Sequence, residues 1–174
     1  DPDAIHAARA ALIGAIADAH DAKLRALYER LDVKGAFSPD AKPAGRRALR
    51  NVLLRYLTAA DDEDAATLAD THYRAATNMT DMIAGLAALA RVDSKKSEAA
   101  FDHFHARFHN DPLVLDKWMA LQAASCLPGT VSRMRPLMKH PAFDLTNPNR
   151  ARSLIGPFAA NHFRFHAGDG AGYA

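Results

Sequence analysis

Cysteine is nearly absent from this sequence. Cys126 is the only one, so the chain forms no internal disulfide and holds no CxxC pair. A lone thiol fits a reducing compartment, and the expected location is cytoplasmic. Aromatic residues are also scarce, at 7%, whereas alanine occurs 38 times in 174 residues. Alanine is the best helix former and a poor strand filler, which disfavours a β-sandwich or barrel. The longest apolar run, Met82 to Ala90, is nine residues and is broken by Gly85. A membrane span needs about 20, so no membrane partner is expected. Charge of one sign is lacking too. Twenty-two basic residues face 20 acidic ones, leaving no dedicated surface for nucleic acid or anionic lipid. The start, Asp1-Pro2-Asp3, has neither a basic nor an apolar leader region and no initiator Met. Together with the Gly170-Ala171-Gly172-Tyr173-Ala174 end, it reads as a piece of a longer chain.

What is present is helical periodicity. A length of 174 residues suits about one domain. Ile5, Leu12, Ile16, Leu24, Leu27 and Leu31 recur at multiples of three and four. Residues 34–43 read as an internal loop, with one Gly and two Pro. A helix follows over about 44–59, and Asp61 to Asp64 then place negative charge at the start of another. Asn78 reads as an N-cap with Asp81 three residues on. Ser94 or Ser97 opens a helix carrying Phe101, Phe104 and Phe108. Asp111-Pro112 and Asn147-Pro148 each combine an N-cap with proline at the first helical position. Leu127-Pro128-Gly129 and His140-Pro141 are breaks, and residues 159–174 read as an irregular tail. The result is about eight helices in pairs of roughly 33 to 37 residues, a HEAT-like spacing, with no segment of period two.

Motifs for chemistry are few. There is no GxSxG elbow, and no histidine precedes a glutamate, so HExxH does not occur. His103, His105 and His109 cluster on one predicted helix. His105 and His109, four apart, share a face that two ligands of one metal would need, with a third supplied from elsewhere. The alternative is a half-buried face beside the phenylalanine stripe. Asp61 to Asp64 lack calcium-loop spacing. Cys126 reads as a small core residue and Trp118 as core. Arg46, Arg47 and Arg50 open one helix and read as surface salt-bridge partners. Arg150 and Arg152 follow the Asn147-Pro148 cap, whose rigid first turn suits recognition of a carboxylate.

Several strings matter as an ordered set. They are Arg47-Ala48-Leu49-Arg50-Asn51, Ala76-Thr77-Asn78-Met79-Thr80-Asp81 and Asp116-Lys117-Trp118. Asn147-Pro148-Asn149-Arg150-Ala151-Arg152-Ser153-Leu154-Ile155-Gly156 is the most specific, followed by Phe165-His166 and Asp169-Gly170-Ala171-Gly172-Tyr173. Over about residues 44–173 this set resembles the C-terminal helical domain of the bacterial aminopeptidase N family, gluzincin zinc aminopeptidases. The resemblance implies an all-α fold, a right-handed superhelix of antiparallel helix pairs of the HEAT/ARM type. Residues 1–174 would then be one partial domain of a larger peptidase, truncated before its last helices and exposing apolar surface at its C-terminal end.

The resemblance also implies a function. The family removes N-terminal residues from peptides with a zinc held by HExxH and a downstream Glu in a preceding catalytic domain. None of those motifs is in this chain, so no catalytic residue, metal ligand or cofactor is carried over, and the isolated chain is not expected to be an enzyme. Its partners would be the preceding catalytic domain and, through the whole enzyme, peptide substrates. Its role would be to close the active-site chamber and limit substrate size. The carried-over chamber-lining residues are Arg152, Arg150 and Asn149. Two other readings compete: a free-standing helical-repeat scaffold for a protein partner, and a small metalloenzyme built on His103, His105 and His109.

Overall fold

The computed structural model describes residues 1–32, 35–60 and 62–173. Among them there is no strand. The helices are α1 (Pro2–Arg30), α2 (Ala41–Leu57), α3 (Glu63–Ala75), α4 (Met79–Leu89), α5 (Lys95–Phe108), α6 (Pro112–Ala123), α7 (Thr130–Met138), α8 (Pro148–Ala160) and α9 (His162–Phe165). A 3₁₀ turn, Ala171–Tyr173, follows. The all-α class and the helix count expected from periodicity both hold to within one short helix.

The predicted caps form as local chemistry dictates. Asn78 accepts from the Asp81 backbone N–H at 3.0 Å, and its amide donates back to the Asp81 carboxylate at 2.8 Å. Asp62 accepts from the Ala65 N–H at 2.8 Å. Asp111 accepts from Leu113 and Val114, and Asn147 from Asn149, each with proline next in sequence. Of the two serines considered for α5, Ser94 is the cap: its hydroxyl accepts from the Ser97 N–H at 3.1 Å. Ser97 is spent elsewhere, donating to the Leu89 carbonyl at 2.8 Å. Helix α2 starts at Ala41, inside the expected 34–43 loop. Pro43 is accommodated because a first-turn residue needs no intrahelical N–H bond. Lys34 of that loop and Asp61 of the acidic run lie outside the described residues.

The chain divides into two compact units. The first is Ala4–Ser97. Here α4 packs on α2 and, most closely, on α3. The contact of α4 with α3 is made at Gly85, where a Cβ would lie 2.8 Å from the Tyr73 Cα and 2.8 Å from its N. Only glycine allows that approach. Leu54, Ala66, Ala69, Tyr73, Leu86 and Leu89 are buried around it. The apolar stripe of α1 is buried only toward its C-terminal end: Ile5 is 70% and Leu12 62% exposed, Ile16, Leu24 and Leu27 are half-buried, and Tyr28 and Leu31 are buried.

The second unit is Glu98–Ala174 with Asp1–Asp3. Helix α6 packs against α7 and α8, burying Met119, Ala123 and Leu154. Trp118 is buried as expected, and its indole N–H donates to the Phe101 carbonyl at 3.0 Å. The segment 159–174, expected to be irregular, carries the end of α8, α9 and the 3₁₀ turn. Asn161 explains the order: its amide donates to the carbonyls of Ala123 at 3.2 Å and Ser125 at 2.7 Å, so a side chain pins the backbone where no apolar period does.

Candidate functional site

The predicted binding segment sits on the first turn of α8. The cap at Asn147 holds Asn149 by its backbone N–H at 3.0 Å, and the Asn149 side chain is exposed. Arg150 turns inward. Its Nη1 donates to the Asp116 carboxylate at 2.5 Å and the Pro112 carbonyl at 2.6 Å, with the paired side chains 12% and 19% exposed. That guanidinium therefore ties α8 to the start of α6. Arg152 is exposed and makes no hydrogen bond or ion pair among the described residues. The two arginines are thus separated in role: one anchors the turn, and the other presents a cation to solvent on a rigid platform.

The histidine cluster does not converge. His105 Nε2 lies 3.0 Å from His140 Nε2, and the His109 Nδ1 is 2.9 Å from the Ala106 carbonyl on its own helix. The His140 Nδ1 accepts from the Ala142 N–H at 3.1 Å, so its proton sits on Nε2 and is donated to His105. Both rings lie against Trp118, at centroid distances of 4.8 and 5.5 Å. Burial, then the charge of His105, holds His140 below its usual pKa. Among the described residues no group of three His, Cys, Asp or Glu is placed to hold a metal. Cys126 is half-buried, and its carbonyl accepts from Arg164 Nε at 2.5 Å.

A second constellation lies in the first unit, where the sequence offered only surface arginines and a helical period. Arg47 is 6% exposed. Its Nη2 donates to the Ser38 carbonyl at 2.8 Å, and its guanidinium lies 4.6 Å from the Phe37 centroid. Arg50 pairs with Asp32 at 3.4 Å and lies over the Tyr28 ring. The Tyr28 hydroxyl reaches His72 Nδ1 at 2.7 Å, and His72 is 3% exposed. Asn51 donates to Asp81 at 3.0 Å. Burial, then the charge of Arg50, lowers the His72 pKa to about 4, while Asp81 opposes both. Burial raises the Tyr28 pKa. Arg47, Arg50, His72, Asn78, Asp32 and Asp81 surround a cavity of about 240 Å³.

An all-helical chain of capped, short-linked helices, with one exposed arginine on a rigid turn and no metal-ligand triad among its described residues, is of the helical-array class. The family model described as "Domain of unknown function (DUF3458_C) ARM repeats" matches residues 1–174, and the chain belongs to that family. Aminopeptidase N of Caulobacter vibrioides is 45% identical over 100% of this chain and 20% of its own length. Aminopeptidase N of Escherichia coli is 36% identical over 99% of this chain and 20% of its own length. The crystal structure of Legionella pneumophila aminopeptidase A in complex with aspartic acid matches with a TM-score of 0.88 and 29% identity. It covers 99% of this chain and 21% of that one. The chain thus spans about a fifth of the length of the relatives it matches. The resemblance drawn from the ordered motif set is borne out, and the ARM-repeat description agrees with the array of helix pairs read from the spacing.

Proposed function

We propose that this chain is the helical, non-catalytic C-terminal part of a cytoplasmic zinc aminopeptidase N that removes N-terminal residues from peptides. The observation that carries the proposal is coverage. A relative named aminopeptidase N matches every part of the chain, yet the chain spans only 20% of that relative. The chemistry then belongs to a preceding catalytic domain, which is the partner of this chain. Zinc held in that domain would supply Lewis-acid chemistry for hydrolysis there. The residues present here do not fit that metal. The nearest pair, His105 and His140, supplies two nitrogens, whereas a catalytic zinc takes three protein ligands.

The role of this chain is mechanical. It closes the active-site chamber, admits short or unfolded peptides and positions them for attack. Within it, Arg152 faces the chamber and attracts a carboxylate or carbonyl on the C-terminal side of the bound peptide. Asn149 borders it, and Arg150 holds the turn in place through Asp116. In the full-length protein, Arg152→Ala is expected to raise KM for tripeptides and longer substrates several-fold with little change in kcat. An alanine anilide, which has no C-terminal peptide extension, should be unaffected. Equal effects on both substrates would assign Arg152 a structural role.

A further inference from the structure

We propose that His105 and His140 form a proton-operated latch on the turn between α7 and α8. His105 stands on α5, and His140 lies two residues past the end of α7. Their Nε2 atoms are 3.0 Å apart, and the rings meet edge to face with centroids 5.0 Å apart. Both rest on Trp118 of α6. The turn is thus tied to two helices through a contact between histidines, the side chain whose ordinary pKa lies between pH 5 and 8.

Each lone pair able to take a further proton is already in use. The Ala142 backbone N–H donates to His140 Nδ1 at 3.1 Å. A backbone N–H only donates, so this contact fixes the neutral ring with its proton on Nε2. That proton is directed at His105 Nε2, which accepts it, and His105 carries its own proton on Nδ1. A second proton on His140 enters at Nδ1 and displaces the Ala142 N–H. One on His105 enters at Nε2 and meets the N–H of His140. Either way one of the two hydrogen bonds at His140 is lost, and two charged rings at this distance repel. Burial, then the charge of His105, lowers the His140 pKa, in keeping with a neutral resting pair. The same tautomer argues against a metal between the rings, because His140 Nε2 holds a proton and not a free lone pair.

The turn hangs on His140. Its carbonyl accepts from the Phe143 N–H at 2.8 Å, and the Asp144 carbonyl accepts from the N–H of Asn147, the N-cap of α8, at 3.2 Å. Opening the His140 contacts therefore loosens residues 140–147 up to the first turn of α8, whatever that turn binds. The other charged groups around the pair are differently engaged. The Thr146 hydroxyl and N–H hold the Asp144 carboxyl below the usual range, so it is already charged when the histidines titrate. Arg135 on α7 and Lys139 just after it are exposed. On α6, Asp116 is paired with Arg150, and Lys117 reaches back to the Leu113 carbonyl. On α5, Asp102 and His109 stand three and four residues from His105, and His109 is bonded to the Ala106 carbonyl. His103 lies about 160° round that helix from His105.

The test follows the 174-residue chain by nitrogen-edited NMR and amide exchange from about pH 7.5 to about pH 5. At the upper end His140 is expected as the Nε2–H tautomer and His105 as the Nδ1–H tautomer. As pH falls, proton uptake by the pair and loss of protection at the Ala142 amide should follow one curve. Opening, corrected for the intrinsic exchange rate, should rise about tenfold per pH unit through the transition. Emission from Trp118, the only tryptophan, should change along the same curve. In His105→Gln/His140→Gln neither side chain titrates, and protection at Ala142 should no longer vary with pH. His109→Gln, outside the pair, should leave the transition in place. Because the double variant removes both rings from Trp118 and can disturb packing, the tautomers and the coincidence of the curves are read on the unaltered chain. Constant protection at Ala142 while both rings gain protons, the opposite tautomers, or the same transition in a folded double variant would each overturn the proposal.

Discussion

Replacing Gly85 by alanine sets two effects of opposite sign against each other. In an open helix the change adds helix propensity worth about 1 kcal/mol. At Gly85 the new Cβ would sit 2.8 Å from the Tyr73 Cα and N and 2.9 Å from its Cβ. Ordinary carbon contacts lie near 3.5–4.0 Å, so α3 and α4 must part by about 1 Å. The obstacle is backbone and cannot rotate away. Overpacking of this kind costs about 1–3 kcal/mol and sometimes more, and a backbone clash belongs at the upper end. The net expectation is a loss of about 2 kcal/mol. With a urea slope of about 1–3 kcal/mol/M, the midpoint of the first unit falls by about 1 M. Hydrogen exchange over α3 and α4 reads that unit, while the fluorescence of Trp118, the only tryptophan, reads the second. Gly45→Ala in α2 is the control, since nothing lies within 4 Å of its Cβ position, and it should stabilise slightly. If Gly85→Ala stabilised the chain as Gly45→Ala does, the close approach of α3 and α4 would be wrong.

Other expectations follow from the same contacts. Burial keeps His72 from taking a proton in the folded chain until about pH 4, while an unfolded histidine takes it near 6.5. Acid therefore favours the unfolded state, and this contribution, about 3 kcal/mol, is complete above pH 6.5 and lost as pH falls toward 4. Urea midpoints measured across that range should fall in the native chain and lack this component in His72→Gln. Arg150→Ala removes the partner of the part-buried Asp116 and should lower the stability of the second unit by about 1–3 kcal/mol, read by Trp118 fluorescence. Unchanged stability would show that the pair is a surface contact of little weight.

The parts of the fold legible in the sequence are those written in a few adjacent residues. Asn78 with Asp81, Asp111-Pro112 and Asn147-Pro148 each satisfy orphan N–H groups within one turn, so local spacing suffices. The motif set around Asn147 was equally legible, being a contiguous string. What escaped depends on distant partners. Arg47 reads as a surface arginine because nothing local reveals Phe37 and Ser38 folded over it. Nothing near His72 in the sequence marks it out, because its partner Tyr28 lies 44 residues away. Arg150 and Arg152 look equivalent until Asp116, 34 residues distant, claims the first. The histidines at 105 and 109 share a helical face, yet His140 draws one away and a backbone carbonyl holds the other. The first turns of the α1 stripe, at Ile5 and Leu12, satisfy the helical period without being buried, because periodicity reports a face and not what covers it.

On the proposed function, this chain serves a peptidase without performing its chemistry. The most direct measurement compares hydrolysis of alanine p-nitroanilide by the purified 174-residue chain and by the full-length protein that carries it, each with added zinc and with a chelator. Chelator-sensitive release is expected from the full-length protein and none from the chain. Chelator-sensitive release by the chain itself would contradict it.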